Sequence, residues 1–425
     1  MRRRRNAAHR RRLGPAFTRL WAGFTCASWG DGMAYGAVPL LAVVVNPHPL
    51  AVSAVAAADS LPWLLMALPA GHFADRFARG PVMVAANTMR AVAMFAAVLL
   101  IASHHISLPL LITVVLINAG GRAIYYSSFQ ALVPGLIDTR DLEQANGILS
   151  GTEGGAENLA GPIVGTSLFA LGRSIPFVAD GVSLVASCFP LGSFRSKAPS
   201  EGEKGSSDSV WEGVRLLFAD HRLRVLLIMV ASLAGLQGME AGVLVLLATT
   251  EWGVREGAYG LFLATGALGF LLGSVAADGI VRRFGGARTL LAAAVMSGFG
   301  YLIMASARSW LLAGPSFALV GLAVGAGSVV AISLRQRLTP EDLMGRVGGA
   351  WRGIVWGAAP IGALAAGSVA TIGGLRMPLV VAGILQCAVA VVLARPLLHS
   401  LQDATRGPRE PRRVASSPEP EAPLP

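Results

Sequence analysis

Gly71-His-Phe-Ala-Asp75-Arg76-Phe-Ala-Arg79-Gly80 and Gly273-Ser-Val-Ala-Ala-Asp278-Gly-Ile-Val-Arg282-Arg283-Phe-Gly285 are two copies of one short polar connection between apolar runs. A second pair repeats the relation: Pro134 to Gly147, with Arg140-Asp141-Leu142, matches Thr339-Pro340-Glu341-Asp342-Leu343-Met-Gly-Arg346-Val-Gly348. Asp75 and Asp278 are 203 residues apart, and Asp141 and Asp342 are 201 apart. Two independent pairs at nearly one offset mark a duplicated unit of about half the chain.

Outward from these connections lie apolar runs of the length a helix needs to cross ~30 Å of hydrocarbon, about 20 residues. The first half contains six, near 20–45, 51–73, 82–103, 108–132, 146–171 and 174–194. The second contains six more, near 223–248, 258–280, 288–306, 310–334, 347–370 and 376–394. Between them, Lys197 to Ser209 reads as a flexible linker. Val210 to Arg222 alternates polar and apolar faces at helical spacing, as expected of an amphipathic helix on the membrane surface. The expected fold is therefore all-α and integral to the membrane, with twelve spans in two six-helix bundles. The expected domains are a basic arm (1–19), a first bundle (20–194), a linker with its amphipathic helix (195–222), a second bundle (223–394) and a disordered tail (395–425).

Composition agrees. Of 425 residues 54% are hydrophobic and only 14% charged, where a soluble surface needs roughly a quarter. The 51 glycines suit helices whose backbones approach closely. The net charge of +11 is spread between apolar runs rather than gathered on a folded basic surface, so nucleic acid is not the expected partner. Of 35 Lys and Arg, 28 fall on one alternating set of flanks, which places both termini in the cytoplasm. The first apolar run is too long for a cleaved signal peptide. No GxxxxGK[ST] loop offers a nucleotide site, no CxxC or Cys/His cluster offers zinc, and Cys26, Cys188 and Cys387 read as buried thiols. No cofactor is expected.

Because each half crosses six times, the copies enter from the same side and are parallel repeats about an axis along the membrane normal. Two such bundles can rock against each other around a midplane site.

Further motifs carry a resemblance. They are Phe17-Thr-Arg19-Leu20-Trp21-Ala-Gly23 leading to Trp29-Gly30-Asp31-Gly32, then Ser60-Leu61-Pro62-Trp63, Leu68-Pro69-Ala70-Gly71, Ala131-Leu132-Val133-Pro134, Leu142-Glu143-Gln144-Ala145-Asn146-Gly147 and Asn158-Leu-Ala-Gly161-Pro162-Ile-Val-Gly165. With the Asp75-Arg76 loop, they make residues 17–394 resemble a major facilitator superfamily transporter, in the branch of macrolide-type drug exporters and transmembrane secretion effectors. The resemblance implies that Asp75, Arg76 and Arg79, with Asp278 and Arg282 in the second copy, brace cytoplasmic helix ends. It implies that Gly161, Pro162 and Gly165 form an antiporter-like packing motif. Two departures stand out: Glu157 and Thr166 occupy positions where the antiporter pattern has glycine, and Gly279 follows Asp278 where the first copy has Arg76.

Charges at membrane depth are costly unless they face a cavity or a partner. Asp31, Asp59, Arg90, Arg122, Glu153, Glu157, Asp180, Glu240 and Arg352 are such charges, and Asp31, Arg122, Glu153, Glu157 and Glu240 are the leading candidates for substrate or proton coupling. Glu153 and Glu157 lie four apart on one helix face, a pair able to load and release a proton. The expected function is a secondary exporter of amphiphilic, drug-like small molecules, driven by proton entry and working as a monomer in a bacterial cytoplasmic membrane. An exporter of an endogenous siderophore or secondary metabolite, and a non-transporting membrane scaffold, stand as alternatives. No HExxH motif or serine nucleophile elbow supports an enzyme.

Overall fold

The computed structural model describes residues 13–67, 78–138, 141–194, 208–340 and 343–405, and the described residues are helical with no strand. The first half comprises α1 (Gly14–Val45), α2 (Pro49–Ala67), α3 (Arg79–Ala102), α4 (Leu108–Leu136), α5 and α6 (Ile175–Leu191). α5 is continuous from Leu142 through a π-helical stretch, Glu153–Ala160, to Leu171. After α7 (Asp208–Ala219), the second half comprises α8 (His221–Ala241, prolonged through Leu247–Glu251), α9 (Tyr259–Phe284), α10 (Gly286–Ser306), α11 (Trp310–Leu338), α12 (Met344–Gly373) and α13 (Met377–Thr405). Nine of these helices are long and apolar enough to cross a membrane; α2 and α6 are apolar but shorter, and α5 is divided by its π-helical turn.

Helix starts follow local chemistry. Pro sits in the first turn of α1, α4 and α6, where a missing N–H costs nothing. Asp220 caps α8 by accepting from the N–H groups of Arg222 and Leu223 at 2.7 and 3.1 Å. Gly285 and Gly374, at φ of +82° and +85°, end α9 and α12 in a conformation that disfavours a Cβ.

The duplication seen in sequence returns in the packing. In the first half α1 packs on α5 and α6, α3 on α4 and α6, and α2 on α4; in the second α8 packs on α12 and α13, α10 on α11 and α13, and α9 on α11. The same pairs recur one repeat later. The main contacts between halves are α2 with α12 and α5 with α9, which a two-fold relation exchanges. Close backbone crossings also repeat: a Cβ on Gly32 would lie 2.9 Å from Gly161 Cα, and one on Gly238 would lie 2.0 Å from the Ala359 carbonyl oxygen. Thus Gly161-Pro162 and Ala359-Pro360, in the fifth helix of each half, let that helix press on the first.

α7 is seated against the start of α12: Leu217 is fully buried, Glu212 pairs with Arg346, and Gly213 is tight against the Arg346 backbone. Its Trp211 and Phe218 remain exposed. One element differs from the sequence expectation: α13 continues past Arg395 to Thr405, because Leu397 is fully buried and Leu398 packs against the second-half core, so the apolar face outlasts the boundary expected at residue 395. Residues of the N-terminal arm before Leu13, most of the linker and the chain beyond Thr405 lie outside the described residues, as do Asp75 and Arg76.

Candidate functional site: a cavity between the halves

A cavity of about 440 Å³ lies between the two bundles, with walls from α1, α2, α4 and α5 on one side and α8 and α12 on the other. This volume is in the range that holds a small organic molecule. Its ionisable lining groups are Asp31, Asp59, Arg122, Glu153 and Glu157, joined by Tyr125 and Tyr126. Arg122 on α4 donates to Glu157 Oε1 at 3.2 Å, both side chains about a fifth exposed. The π-helical turn in α5 carries Glu153 and Glu157 to the cavity, and such single wide turns recur at functional sites.

Aromatic rings join the halves beside these charges. Trp63 of α2 meets Trp356 of α12 edge-on at 4.9 Å between centroids, meets Tyr126 at 5.9 Å, and lies under the Arg122 guanidinium at 5.6 Å. Elsewhere the halves are joined by hydrogen bonds. Ser53 Oγ donates to the Gly242 carbonyl at 2.9 Å, and the fully buried Thr166 of α5 accepts from the Gly260 N–H in the first turn of α9 at 3.0 Å. Thr166 is one of the departures from the antiporter pattern, and it caps a helix of the opposite half.

The candidates separate into three groups. Asp31, Arg122, Glu153 and Glu157 come together at the cavity, with Asp59. Arg90 and Asp180 lie behind it, fully buried inside the first bundle, where Arg90 pairs with Asp31. Glu240 is buried in the second bundle, accepting from Tyr301 on α10 at 3.2 Å and absent from the cavity lining. Arg352 is exposed on α12. Of the bracing residues, Arg79 donates to the Ala131 carbonyl of α4, whereas Asp278 and Arg282 pair with each other at 2.7 Å, one turn apart on α9 and largely exposed. Gly161, Pro162 and Gly165 are buried against α1. Sequence reading undervalued Arg90, Asp180 and Tyr301. The available signal for Arg90 was Asn118 and Gly121 on the next span: Asn118 accepts from its Nε at 2.9 Å, and Gly121 leaves room for its stem.

A larger groove, about 800 Å³, runs between α9 and α11 away from the interface of the halves, with Arg255 its one ionisable lining group. Among the described residues no group of three His, Cys, Asp or Glu is placed to hold a metal.

The family model described as transmembrane secretion effector matches residues 12–420. The chain belongs to the transmembrane secretion effector family. Solved structures with the same fold include a POT family transporter in complex with 5-aminolevulinic acid, 13% identical, TM-score 0.73, covering 91% of this chain and 96% of that one. Another is a bacterial homologue of the iron transporter ferroportin in an inward-facing state, 21% identical, TM-score 0.69, with 89% and 98% covered. A third is a bacterial homologue of the human lysosomal transporter Spinster, inward-facing and unoccupied, 15% identical, TM-score 0.69, with 91% and 98% covered. No curated protein matches the sequence significantly. This transmembrane secretion effector is therefore a multi-pass membrane transporter of the major facilitator type, with a cavity between its two bundles.

Proposed function

We propose that the protein is a secondary active exporter of amphiphilic small molecules, exchanging its cargo for protons by alternating access. The observation that carries this reading is the cavity itself: four carboxyl groups and one guanidinium stand against a cluster of Trp63, Tyr126 and Trp356. Aromatic faces accept an apolar body, and the acidic excess favours a cargo with a basic group. Arg122 and Glu157 neutralise each other across the cavity wall. A cation that displaces Arg122, or a proton that reaches Glu157, each breaks that pair, so both compete for one carboxylate.

With the basic flanks in the cytoplasm of a bacterial cell, both termini face inward. The hydrogen-bonded end, at Ser53–Gly242 and Thr166–Gly260, is then the outer one, and the arrangement is closed to the outside. Export begins with entry of cargo from the cytoplasmic side, and a single chain contains both halves of the path, so a monomer suffices.

The test is proton flux in reconstituted vesicles under an imposed pH gradient, with a panel of basic and neutral amphiphiles and with Glu157→Gln beside the parent. Compound-triggered flux that Glu157→Gln abolishes supports the reading. Absence of flux with every compound, or triggered flux unchanged by the substitution, refutes it.

A further inference from the structure

Behind the cavity wall the first bundle contains a second polar cluster that the transport path above does not use. Arg90, fully buried on α3, donates through Nε to Asn118 Oδ1 at 2.9 Å, through Nη1 to Asn87 Oδ1 at 3.2 Å and through Nη2 to Asp31 Oδ1. Asn87 in turn donates to Ser187 Oγ on α6 at 2.8 Å. Asp180, also on α6, is fully buried, and neither of its carboxyl oxygens has a hydrogen-bond partner. It lies against α1 at the residue next to Asp31: a Cβ on Gly30 would be 2.3 Å from Asp180 Oδ1. The charged groups that face Asp180 are Asp31 from α1, Arg90 from α3 and, farther off, Arg122 from α4. Tyr125 on α4 neighbours the same cluster, and its hydroxyl also lacks a partner among the described residues.

Charge counting decides the state of this cluster. Arg122 is matched by Glu157, which leaves two carboxyl groups, Asp31 and Asp180, against one guanidinium, Arg90. A buried carboxylate with neither a counter-charge nor a donor is strongly disfavoured, and a bound proton removes the penalty. Asp31 has the ion pair and Asp180 has nothing. We infer that Asp180 is a proton-binding site, and that Arg90 is a shared cation which Asp31 gives up to Asp180 when a basic cargo engages Asp31 from the cavity.

The step balances. The Asp31–Arg90 pair opens, Asp31 remains ionised against the cationic cargo, the Asp180 O–H bond breaks with its proton passing to water, and the Asp180 carboxylate pairs with Arg90. One proton leaves as one positive charge arrives, so the bundle interior keeps its net charge. Asp31 is suited to the exchange because its carboxyl belongs to both places, lining the cavity and bonding Arg90. The cargo part rests on the proposed export function; the protonation of Asp180 does not.

Infrared difference spectroscopy of the purified protein in bilayers tests it with no cargo at all. The parent should carry a C=O stretch of a buried protonated carboxyl that Asp180→Asn removes. Asp31→Asn frees Arg90 for Asp180, so it should remove the same band although Asp180 is still present. Asp180→Asn is nearly isosteric, and its melting temperature beside the parent's confirms a folded sample. A band unchanged in Asp180→Asn overturns the proton site. A band lost in Asp180→Asn but kept in Asp31→Asn overturns the sharing of Arg90. If both variants lose the band while no compound triggers proton flux in vesicles, the site stands and the export reading falls.

Discussion

Replacing Thr166 by Val removes one hydroxyl at the place where α5 of the first half meets α9 of the second. The side chain is fully buried, accepts from the Gly260 N–H at 3.0 Å and donates within its own helix to the Pro162 carbonyl at 3.0 Å. Val has the same shape, so packing is kept and the Gly260 N–H is left unpaired in the closed arrangement. A buried donor stripped of its partner costs about 1–3 kcal/mol. In an arrangement parted at this end, water reaches Gly260 and the loss disappears, so the substitution acts almost wholly on the closed state. Taking roughly 1–2 kcal/mol, the closed-to-open ratio falls about 5- to 30-fold. Spin labels at Leu171 and Leu261, both exposed near this end, report the separation of the halves by pulsed electron resonance. The longer-distance population should grow in Thr166→Val and stay at the parental level in Thr166→Ser, which retains the acceptor. Identical distance distributions for parent, Val and Ser variants would refute the reasoning, because the bond would then not hold the halves together.

Other substitutions test other parts of the architecture. Gly161→Ala puts a Cβ 2.3 Å from the Ala156 carbonyl and Gly238→Ala puts one 2.0 Å from that of Ala359; each should lower stability by about 1–3 kcal/mol, seen as a reduced melting temperature, whereas Gly154→Ala enters open space and should leave it unchanged or raised. Trp63→Ala removes rings that touch Tyr126 and Trp356; at about 0.5–1.5 kcal/mol per aromatic pair, amphiphile binding measured by equilibrium dialysis should weaken several-fold, with Trp63→Phe in between. Tyr301→Phe deprives the buried Glu240 of its donor; a stability loss of about 1–3 kcal/mol should vanish when Glu240→Gln is added, and a double variant no better than the single one would deny the pairing.

The fold was legible because its determinants are local and repeated. Span length, basic flanks and the two loop motifs each depend on a few neighbouring residues, and the packing pairs of the second half reproduce those of the first. Helix ends were read less well where burial rather than composition sets them. α13 runs on past Arg395 because Leu397 is buried, and α7 is seated by Leu217 and Gly213 against the start of α12, a contact its own composition does not display. Of the site, the cavity-facing acids and Arg122 could be read from charge at membrane depth. What charge alone could not give is direction around a helix. Asp31 and Glu240 look equivalent as lone acids in the first span of each half, yet one opens on the cavity and the other turns to Tyr301 in its own bundle.

That difference bears on how a duplicated fold couples two events. Each half buries a carboxyl on its first helix and joins it to its third, by Asp31–Arg90 in one and Glu240–Tyr301 in the other. A tyrosine hydroxyl brings no charge, so the Glu240–Tyr301 bond puts no cation into its bundle that other groups would have to balance. A guanidinium brings a full positive charge that must be balanced in every state, so any ligand that claims Asp31 forces a second group to respond. Asp180 is the buried carboxyl beside that pair, and it lacks any partner. Under the proposed export function, this asymmetry assigns the exchange of charge to the first bundle, at Asp31, Arg90 and Asp180. Arg90→Gln should separate the two roles: with the cation gone both Asp31 and Asp180 gain by holding protons, and the infrared band of protonated carboxyl should grow rather than vanish. A band that shrinks in Arg90→Gln would mean that Arg90 does not balance these acids.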